Sequence, residues 1–481
     1  MCGFMAKRSL RILQVSTMDT LGGAEKVAWE LFRSYRDRGY ASWLAVGHKY
    51  GNDPDVLLLP NHESNGGWPH FWWGMHGRLK SVEERLRGVW RLRRLTRWLA
   101  EAAKELDIYR GVEDFHFPGT RRLLTLAQRV PDIVHCHNLH GGYFDLRVLP
   151  WLTRHAPVVL TLHDAWLLSG HCAHSFDCER WKTGCGHCPD LTIYPAIRRD
   201  ATAHNWQRKR AIYSRTQLYV ATPSRWLMQK VKHSILAPNI VAARIIPNGV
   251  DLSVFHPTEK AGVRALLGIP RHAKVLLFTA NGIRRNTWKD YETMRAAVGM
   301  VADRLQDQDI LFIALGEDSP AERIGRAEVR FVPYQRDPEV VARHYQAADA
   351  YVHAARADTF PQTVLEALAC GTPVVATAVG GIPEQVKGLG IFDSGTWNTH
   401  LNTYEMNEAT GALVPQGNVE ALARAITMLL ADDELRSMLG GNAAKDARQR
   451  FDLERQVSDY LSWYEELIAR RELVMSESHA D

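Results

Sequence analysis

The stretch that decides the fold reads Asp358-Thr-Phe-Pro-Gln-Thr-Val-Leu-Glu366-Ala-Leu-Ala-Cys-Gly371-Thr-Pro-Val-Val. It follows an apolar run at 350–353 that is typical of a buried strand. Pro361 suits the first turn of a helix, where a missing N–H costs nothing, and Gly371 ends that helix together with the proline that follows. Strand, short helix and strand in this order predict one unit of a parallel α/β sheet.

Two carboxylates, Asp358 and Glu366, lie on either side of the predicted helix start. Exposed N–H groups at a helix start attract phosphate. A carboxylate only accepts hydrogen bonds, so acidic side chains beside such a site suit sugar and ribose hydroxyls. A nucleotide-sugar requires both: an anion site for its phosphates and, beside it, groups that accept hydrogen bonds from its hydroxyls. The pattern alone also fits an ordinary sheet-covering helix with Glu366 on its solvent face.

Buried-strand patterns alternate with helical ones along the whole chain, which indicates doubly wound parallel sheets. They form two series, at 10–16, 42–47, 133–134, 158–162 and 218–222, and then at 275–279, 310–316, 329–333, 350–353 and 374–377. Turn formers at 247–257 mark the boundary between them. We therefore predict domains at 1–250 and 251–455 and a final helix at 456–475. Segments 65–129 and 389–410 do not fit this minimal plan and are expected to be insertions.

Four further motifs extend the pattern over nearly the whole chain. They are Gly22-Gly23-Ala24-Glu25, Thr161-Leu-His163-Asp164, Pro247-Asn-Gly-Val-Asp251 and Gly380-Gly-Ile-Pro-Glu384. Together with the opening stretch they resemble, in order, the motifs of retaining glycosyltransferases of family 4. That family usually has Glu-x7-Glu where this chain has Asp358 and Glu366, so the first acid is one methylene shorter. The resemblance implies the GT-B fold, an α/β architecture of two Rossmann-like doubly wound parallel-sheet domains that face an interdomain cleft. The final helix would return to the N-terminal domain.

The resemblance also implies roles for individual residues. His163, Asp358 and Lys289 are the candidate catalytic residues: His163 and Asp358 at the transferred sugar and Lys289 at the diphosphate. Glu366 would bind the ribose. The remaining candidates for binding the donor are Gly22, Gly23, Arg284, Arg285, Phe360, Gln362 and Thr363, the last three through backbone N–H groups.

The implied mechanism needs no protein nucleophile and no catalytic metal. The acceptor hydroxyl would attack on the face from which the phosphate leaves, and that phosphate would take its proton, so that the anomeric configuration is retained. Cationic side chains would stabilise the charge that grows on the leaving diphosphate. Without the resemblance, the basic loop around Lys289 could equally be solvated, and His163 could be only packed and hydrogen-bonded.

A cysteine-rich loop at 171–188 is the densest local signal. Cys172, Cys178, Cys185 and Cys188 fall within it, and the last two have the Cys-x2-Cys spacing of metal-binding thiolates. Four thiolates can close a structural zinc site, with histidines of the loop as substitutes. An iron–sulfur cluster and unliganded buried thiols are the alternatives. Similar loops occur in some bacterial exopolysaccharide and colanic-acid-type transferases of the family.

Residues 68–104 interleave aromatic and basic side chains. This mixture suits an anionic bilayer surface, with rings at headgroup depth and guanidinium groups on phosphates. A solvated basic helix with packed tryptophans is the alternative; nucleic acid could use the same stripe, but we expect none. The residues concerned are Trp68, Phe71, Trp72, Trp73, Trp90 and Trp98 with Arg78, Lys80, Arg85, Arg87, Arg91, Arg93, Arg94 and Arg97.

Composition places the chain among ordinary globular proteins, at 46% hydrophobic and 23% charged residues with a net charge of +5. No apolar run is long enough to span a bilayer and the N-terminus lacks the apolar core of a secretory signal. We expect a cytoplasmic enzyme on the inner face of the membrane. It would move a sugar from a UDP- or GDP-sugar to a lipid-linked glycan in bacterial surface polysaccharide synthesis. The alternatives are a nucleotide-sugar epimerase and a non-enzymatic membrane-docking scaffold.

Overall fold

A computed structural model describes residues 10–61, 71–72, 74–79, 88–100, 102–390 and 404–477. The chain forms two compact units. The N-terminal unit comprises Met1–Thr222, Leu227–Ile245 and Tyr460–Asp481, and the C-terminal unit comprises Pro223–Trp226 and Ile246–Asp459. The predicted residues Trp68, Trp73, Lys80, Arg85 and Arg87, and positions 391–403 of the second insertion, lie outside the described residues.

The N-terminal unit contains a seven-stranded parallel sheet in the order β3-β2-β1-β4-β5-β6-β7. Its strands are β1 (Arg11–Met18), β2 (Ala41–His48), β3 (Val56–Leu58), β4 (Ile133–Cys136), β5 (Val158–Thr161), β6 (Leu218–Thr222) and β7 (Ile240–Ile245). The sequence did not predict β3 and β7. β3 has three residues, and β7 is a half-exposed edge strand without a continuous apolar run.

Helices of this unit lie between these strands along the chain. They are α1 (Gly23–Asp37), α2 (Val89–Ala100), α3 (Ala102–Arg110), α4 (Leu123–Leu126), α5 (Leu149–His155), α6 (Thr202–Tyr213) and α7 (Arg225–Lys232), whose first two residues belong to the C-terminal unit. α1 is amphipathic and buries Val27, Leu31, Phe32 and Tyr35. Phe32 packs with residues of β2, which fixes the start of α1 beside the end of β1.

The C-terminal unit contains an eight-stranded sheet in the order β10-β11-β9-β8-β12-β13-β15-β14, parallel except for the β10–β11 pair. The strands are β8 (Lys274–Thr279), β9 (Ile310–Leu315), β10 (Glu322–Ile324), β11 (Ala327–Val332), β12 (Ala350–His353), β13 (Val374–Thr377), β14 (Gly388–Gly390) and β15 (Gly411–Val414). β8, β9, β11, β12 and β13 were predicted from their apolar runs. The short strands β10, β14 and β15 were not.

The helices of the C-terminal unit pack in two layers, one on each face of its sheet. They are α8 (Lys260–Leu266), α9 (Tyr291–Arg304), α10 (Pro338–Ala347), α11 (Gln362–Ala369), α12 (Ile382–Gln385), α13 (Val419–Ala431) and α14 (Asp433–Arg450). One hydrophobic core joins α9 and α13 to the sheet, and another joins α8, α10, α11 and α14 to it. The sheet is buried on both faces, as its continuous apolar strands indicate.

The last helix, α15 (Leu453–Glu477), begins in the C-terminal unit and continues from Tyr460 in the N-terminal unit. Tyr460 and Tyr464 are fully buried there. The Tyr464 hydroxyl lies 2.6 Å from His135 Nδ1, and the Tyr460 hydroxyl lies 2.8 Å from Thr161 Oγ1. These contacts join the end of the chain to β4 and β5.

The strand order reverses at one place in each sheet. In the N-terminal unit β1 pairs with both β2 and β4, and in the C-terminal unit β8 pairs with both β9 and β12. The loops that leave neighbouring strands at such a point run to opposite faces and open a crevice at the carboxyl ends of the strands, where ligands of this architecture bind. The two crevices therefore lie after β1 and β4 and after β8 and β12.

Candidate active site

Lys289, Asp358 and His353 meet at the reversal point of the C-terminal sheet. Lys289 comes from the loop after β8, His353 ends β12, and Asp358 follows it. The Lys289 ammonium donates a hydrogen bond to the Asp358 carboxylate and lies 3.2 Å from His353 Nε2, which is 3.3 Å from Asp358 Oδ2. Lys289 and His353 hold the pKa of Asp358 far below its usual range, in opposition to its burial. Burial and the nearby Lys289 charge lower the pKa of His353 to about 4.

The motif Gly380-Gly381 packs against the backbone of this site. A Cβ on Gly380, whose φ is +57°, would lie 1.8 Å from the carbonyl oxygen of Asp358, and one on Gly381 would lie 2.0 Å from that of Thr359. Only glycine permits this approach, because any side chain would displace the loop that carries Asp358. Glu384 of the same motif accepts hydrogen bonds of 2.7 Å from the backbone N–H groups of Arg225 and Trp226, at the start of α7.

Glu366 lies on the buried face of α11, not on a solvent face. It is 5% exposed, and its Oε2 accepts a 2.8 Å hydrogen bond from the Tyr345 hydroxyl. A buried carboxylate needs a hydrogen-bond donor, and the Tyr345 hydroxyl supplies one. The alternative of a solvated Glu366 is therefore wrong.

The start of α11 leaves its first backbone N–H groups without a side-chain cap. The helix begins at Gln362 and Pro361 is its N-cap residue, one position before the predicted first turn. Phe360 is buried and its ring centroid lies 6.0 Å from that of Phe451. The Gln362 amide donates to the Gly249 carbonyl at 3.1 Å, which ties the motif at 247–251 to this helix. The N–H groups of Gln362 and Thr363 have no acceptor within the helix, because they are its first two residues.

The two candidate arginines differ from Lys289 in their surroundings. Arg284 is bound to Glu317, through its backbone N–H at 2.8 Å and its Nε at 2.6 Å, and it also donates to Ser319. Arg285 is exposed. The structure thus joins Lys289 to Asp358 directly and pairs Arg284 with a carboxylate of a different loop.

His163 lies two residues after the end of β5, the strand next to the reversal point of the N-terminal sheet. Its Nε2 is 2.9 Å from His137 Nδ1, and the two rings are stacked with centroids 5.2 Å apart. His137 Nε2 is 2.7 Å from the amide oxygen of Gln14 on β1. Burial lowers the pKa of His163 to about 4, so the ring is neutral near pH 7. His137 was not among the predicted residues.

A second cluster surrounds Gly22 and Asp164. Gly22 has a φ of +154°, a backbone conformation that favours glycine, whereas a Cβ on Gly23 would meet nothing within 4 Å. Asp164 Oδ2 lies 2.6 Å from His140 Nε2, and its Oδ1 accepts from the Trp166 N–H at 2.8 Å. Nearby Asp164 raises the pKa of His140 against its burial, while burial raises the pKa of Glu25.

Sequence reasoning missed His137, His140, His353 and Glu25 as site residues. Their common signal is position. His353 ends a strand next to a reversal point, His137 and His140 follow such a strand, and Glu25 lies in the first turn of the helix after β1. That signal needs the strand order, which one sequence does not contain.

The cysteine-rich loop has little regular structure. Cys172, Cys178, Cys185 and Cys188 are free thiols, and burial raises the pKa of Cys185 to about 12. The Gly170 N–H donates to Cys185 Sγ at 3.3 Å, and His171 Nε2 lies 3.3 Å from Cys188 Sγ. Across the described residues, no three His, Cys, Asp or Glu side chains are gathered as metal ligands. The structure therefore contains no preformed zinc site.

The basic, aromatic segment forms α2 where it is described. Trp90, Leu92, Leu95 and Trp98 of this helix are 50–57% exposed, and Arg91 and Arg94 are exposed among them. Trp72 is half-buried, whereas Phe71 is exposed. Within the described ranges no helix has both the length and the apolarity that crossing a bilayer demands.

Two family models match the chain. The model of group 1 glycosyl transferases matches residues 269–446, and that of glycosyltransferase family 4 matches residues 21–254. The chain belongs to the group 1 glycosyltransferases. It is therefore an enzyme, which excludes the scaffold alternative, and the epimerase alternative finds no support because both family models describe glycosyltransferases.

Relatives and solved structures agree with this family. A colanic acid biosynthesis glycosyl transferase of Escherichia coli, WcaC, is 29% identical over 76% of this chain and 83% of that protein. A D-inositol 3-phosphate glycosyltransferase of Corynebacterium diphtheriae is 27% identical over 70% of this chain and 74% of that protein. Sucrose-phosphate synthase of Thermosynechococcus elongatus superposes with a TM-score of 0.59 at 20% identity over 96% of this chain and 100% of that one. Anabaena HepE in complex with UDP and glucose superposes with a TM-score of 0.57 at 15% identity over 94% of this chain and 98% of that one. The predicted fold class, GT-B with two Rossmann-like domains, is confirmed.

Proposed function

We propose that this glycosyltransferase transfers a sugar from a UDP- or GDP-sugar to an acceptor hydroxyl with retention of configuration. The observation that carries the proposal is the contact of Lys289, Asp358 and His353 at the reversal point of the C-terminal sheet, with buried Glu366 in the same unit. One cation and two carboxylates in this unit provide one group for a diphosphate and two for hydroxyls. The structure of HepE with UDP and glucose supports a nucleotide-sugar as donor class.

Each residue has a definite task in this proposal. Lys289 donates to the diphosphate and stabilises its growing charge as the bond to the anomeric carbon breaks. Glu366 accepts from the ribose hydroxyls, Asp358 and the neutral His163 act on the transferred sugar, and the first N–H groups of α11 approach donor oxygens. Phe360, Gly22 and Gly23 bring backbone close to the donor. Arg285 is a candidate for the diphosphate, whereas Arg284 would first have to leave Glu317.

The chemical step is a front-face displacement. The acceptor oxygen bonds to the anomeric carbon while the carbon–phosphate oxygen bond breaks, and the departing phosphate oxygen takes the acceptor's proton. The protein supplies position and charge stabilisation, and no residue forms a covalent bond to the sugar.

Calorimetric titration with UDP and GDP, followed by a transfer assay, tests the proposal. The wild-type chain should bind one nucleotide, and Glu366→Ala should lose that binding and transfer while keeping its melting temperature within a few degrees. An active Glu366→Ala enzyme, or a wild-type chain that binds neither nucleotide, contradicts it. Proton NMR of the product gives the anomeric configuration, and inversion would contradict the mechanism.

For the acceptor, we propose a lipid-linked glycan of a bacterial surface polysaccharide at the cytoplasmic face of the membrane. The similarity to a colanic acid transferase and the exposed face of α2 support this. The arginines are complementary in charge to anionic lipid headgroups, and exposed tryptophan rings suit the interfacial region where those headgroups lie. We do not expect nucleic acid as a partner.

Sedimentation with phospholipid vesicles tests the membrane proposal. The wild-type chain should sediment with vesicles that contain anionic lipid and much less with neutral ones. A double variant of Trp90→Ala and Trp98→Ala should lose most of this binding, while Trp151→Ala in the N-terminal unit serves as a control. Equal sedimentation of the double variant and the wild type would refute the role of α2.

A structural zinc ion at Cys172, Cys178, Cys185 and Cys188 stays a prediction. Its support is the sequence spacing of four thiols in one irregular loop; the described residues bring no three of these ligands together. Elemental analysis of the purified enzyme should give one zinc per chain, lost in Cys185→Ser. A metal-free, fully stable wild-type chain would rule the site out.

A further inference from the structure

A run of buried hydrogen bonds begins at Glu366 and crosses the C-terminal sheet. The Tyr345 hydroxyl donates to Glu366 at 2.8 Å and lies 2.8 Å from Thr279 Oγ1. Thr279 Oγ1 lies 3.1 Å from the Tyr351 hydroxyl. Tyr345 and Tyr351 are fully buried, so these groups have to satisfy one another.

The run continues to the other proposed site residues. The Tyr351 hydroxyl lies 3.1 Å from His353 Nδ1, and the opposite ring nitrogen, Nε2, faces Lys289 and Asp358. His353 is fully buried. One chain of contacts therefore joins Glu366 to Lys289 and Asp358.

Counting hydrogens fixes the direction of this chain. Four contacts join Glu366, Tyr345, Thr279, Tyr351 and His353 Nδ1, and each needs one hydrogen. Each hydroxyl has a single hydrogen, and the carboxylate has none. Since Tyr345 gives its hydrogen to Glu366, Thr279 must donate to Tyr345 and Tyr351 to Thr279. When all four contacts are hydrogen bonds, the fourth hydrogen comes from His353, which is therefore protonated on Nδ1. The 3.3 Å contact between His353 Nε2 and Asp358 Oδ2 then carries no hydrogen, and the Lys289 ammonium donates to both of these acceptors.

This assignment leaves a lone pair on His353 Nε2. The ring is neutral at pH 7, since its pKa is about 4. Lys289 can then donate to Nε2 as well as to Asp358. An ammonium has three N–H groups, so two are directed by these acceptors and the third remains for a further acceptor.

We propose that His353 is a positioning residue that, with Asp358, aims the third N–H of Lys289 at the donor diphosphate. The inference rests on the proposed function and adds a residue and a tautomer to it. A neutral acceptor at this point restrains the ammonium without a second negative charge that would compete with phosphate.

Nitrogen-15 NMR of histidine-labelled full-length protein reads the tautomer directly. His353 should show a protonated Nδ1 and an unprotonated Nε2 near neutral pH, and Tyr351→Phe should weaken that preference. A protonated Nε2 in the wild-type protein would overturn the proposal. Assignment by comparison with His353→Gln identifies the signals.

Calorimetry with UDP and GDP measures the consequence in folded variants. His353→Leu removes the acceptor and should weaken nucleotide binding about tenfold, the scale of one charge-assisted hydrogen bond. His353→Gln keeps an acceptor near the Nε2 position and should bind within about threefold of the wild type. His344→Gln is the matched control, because it replaces another buried histidine of the unit, whose Nδ1 lies 2.8 Å from the Val340 carbonyl oxygen.

The outcomes separate the two proposals. If the wild-type chain binds UDP or GDP and Glu366→Ala abolishes binding, but His353→Leu binds as the wild type does, only the role of His353 fails. Equal losses in His353→Leu and His353→Gln would also overturn it, because loss of packing would then be the cause. If the wild-type chain binds neither nucleotide, the proposed function and this inference both fail.

Discussion

At the scale of single residues, neutral histidines in buried polar chains characterise both units. His353 is held between Tyr351 and Lys289, and His163 is held by His137. Burial disfavours the charged ring, so these side chains serve as hydrogen-bond partners of fixed orientation near neutral pH. Such partners orient a ligand without adding charge.

Acid should destabilise the fold through these histidines. The pKa of His353 falls from 6.5 in the unfolded chain to about 4 in the fold, so the unfolded state binds the proton first as the pH falls. The free energy of unfolding should therefore decrease from pH 6.5 towards pH 4, by up to about 3 kcal/mol for this residue. Urea denaturation across this range measures the effect, and His353→Gln should flatten it. An unchanged pH dependence in that variant would contradict the expectation.

Gly380 offers a test of how Asp358 is placed. Gly380→Ala should cost well over 1 kcal/mol in the free energy of unfolding and most of the transfer activity, because its Cβ would lie 1.8 Å from the Asp358 carbonyl oxygen. Gly417→Ala is the matched control, with φ +71° and nothing within 4 Å of the added Cβ. Denaturation and activity assays of both variants separate steric overlap with Asp358 from backbone strain. Equal losses of stability and activity in the two variants would mean that strain at a positive φ alone causes them.

At the scale of elements, a buried lysine on α6 anchors the loop after β5. Lys209 is 0% exposed; its Nζ donates to Glu113 at 2.7 Å and to the carbonyl oxygens of Trp166 and Ser169 at 2.8 and 3.0 Å. It also lies 3.7 Å from the centroid of the Trp166 ring. α6 thereby fixes the turn that follows Asp164.

Lys209→Met should destabilise the protein by about 3–5 kcal/mol, because it leaves the Glu113 carboxylate buried without its cation. Lys232→Met, at the exposed end of α7, should change stability by less than about 0.5 kcal/mol. Chemical denaturation of both variants measures the difference. A Lys209→Met protein as stable as the wild type would show that the pair contributes nothing.

The elements also show what the sequence predicts and what it does not. Continuous apolar runs identified ten of the strands, because strands buried on both faces leave that pattern. The five missed strands leave no such run: β3, β10 and β14 have three residues each, β15 has four, and β7 is half-exposed. Asp358, Glu366 and Lys289 were found through motifs. Tyr345 and Tyr351 were not, since neither a helical pattern nor an apolar strand run reveals that both hydroxyls reach Thr279.

At the scale of the whole molecule, each unit repeats one arrangement, with polar side chains at the point where the strand order reverses. In the C-terminal unit these are Lys289, His353 and Asp358. In the N-terminal unit His137 lies at this point, and His163, after the neighbouring strand β5, contacts it. Family membership explains the fold and the reaction class. Donor and acceptor identity depend on a few side chains and have to be measured.

A crystal structure of the protein with bound UDP or GDP, whichever binds, tests the central claim most directly. The account predicts ribose hydroxyls on the Glu366 carboxylate and a diphosphate oxygen on the Lys289 ammonium, with Lys289 still on His353 Nε2. A nucleotide bound elsewhere, with Glu366 and Lys289 unchanged and without contact to it, would contradict the account.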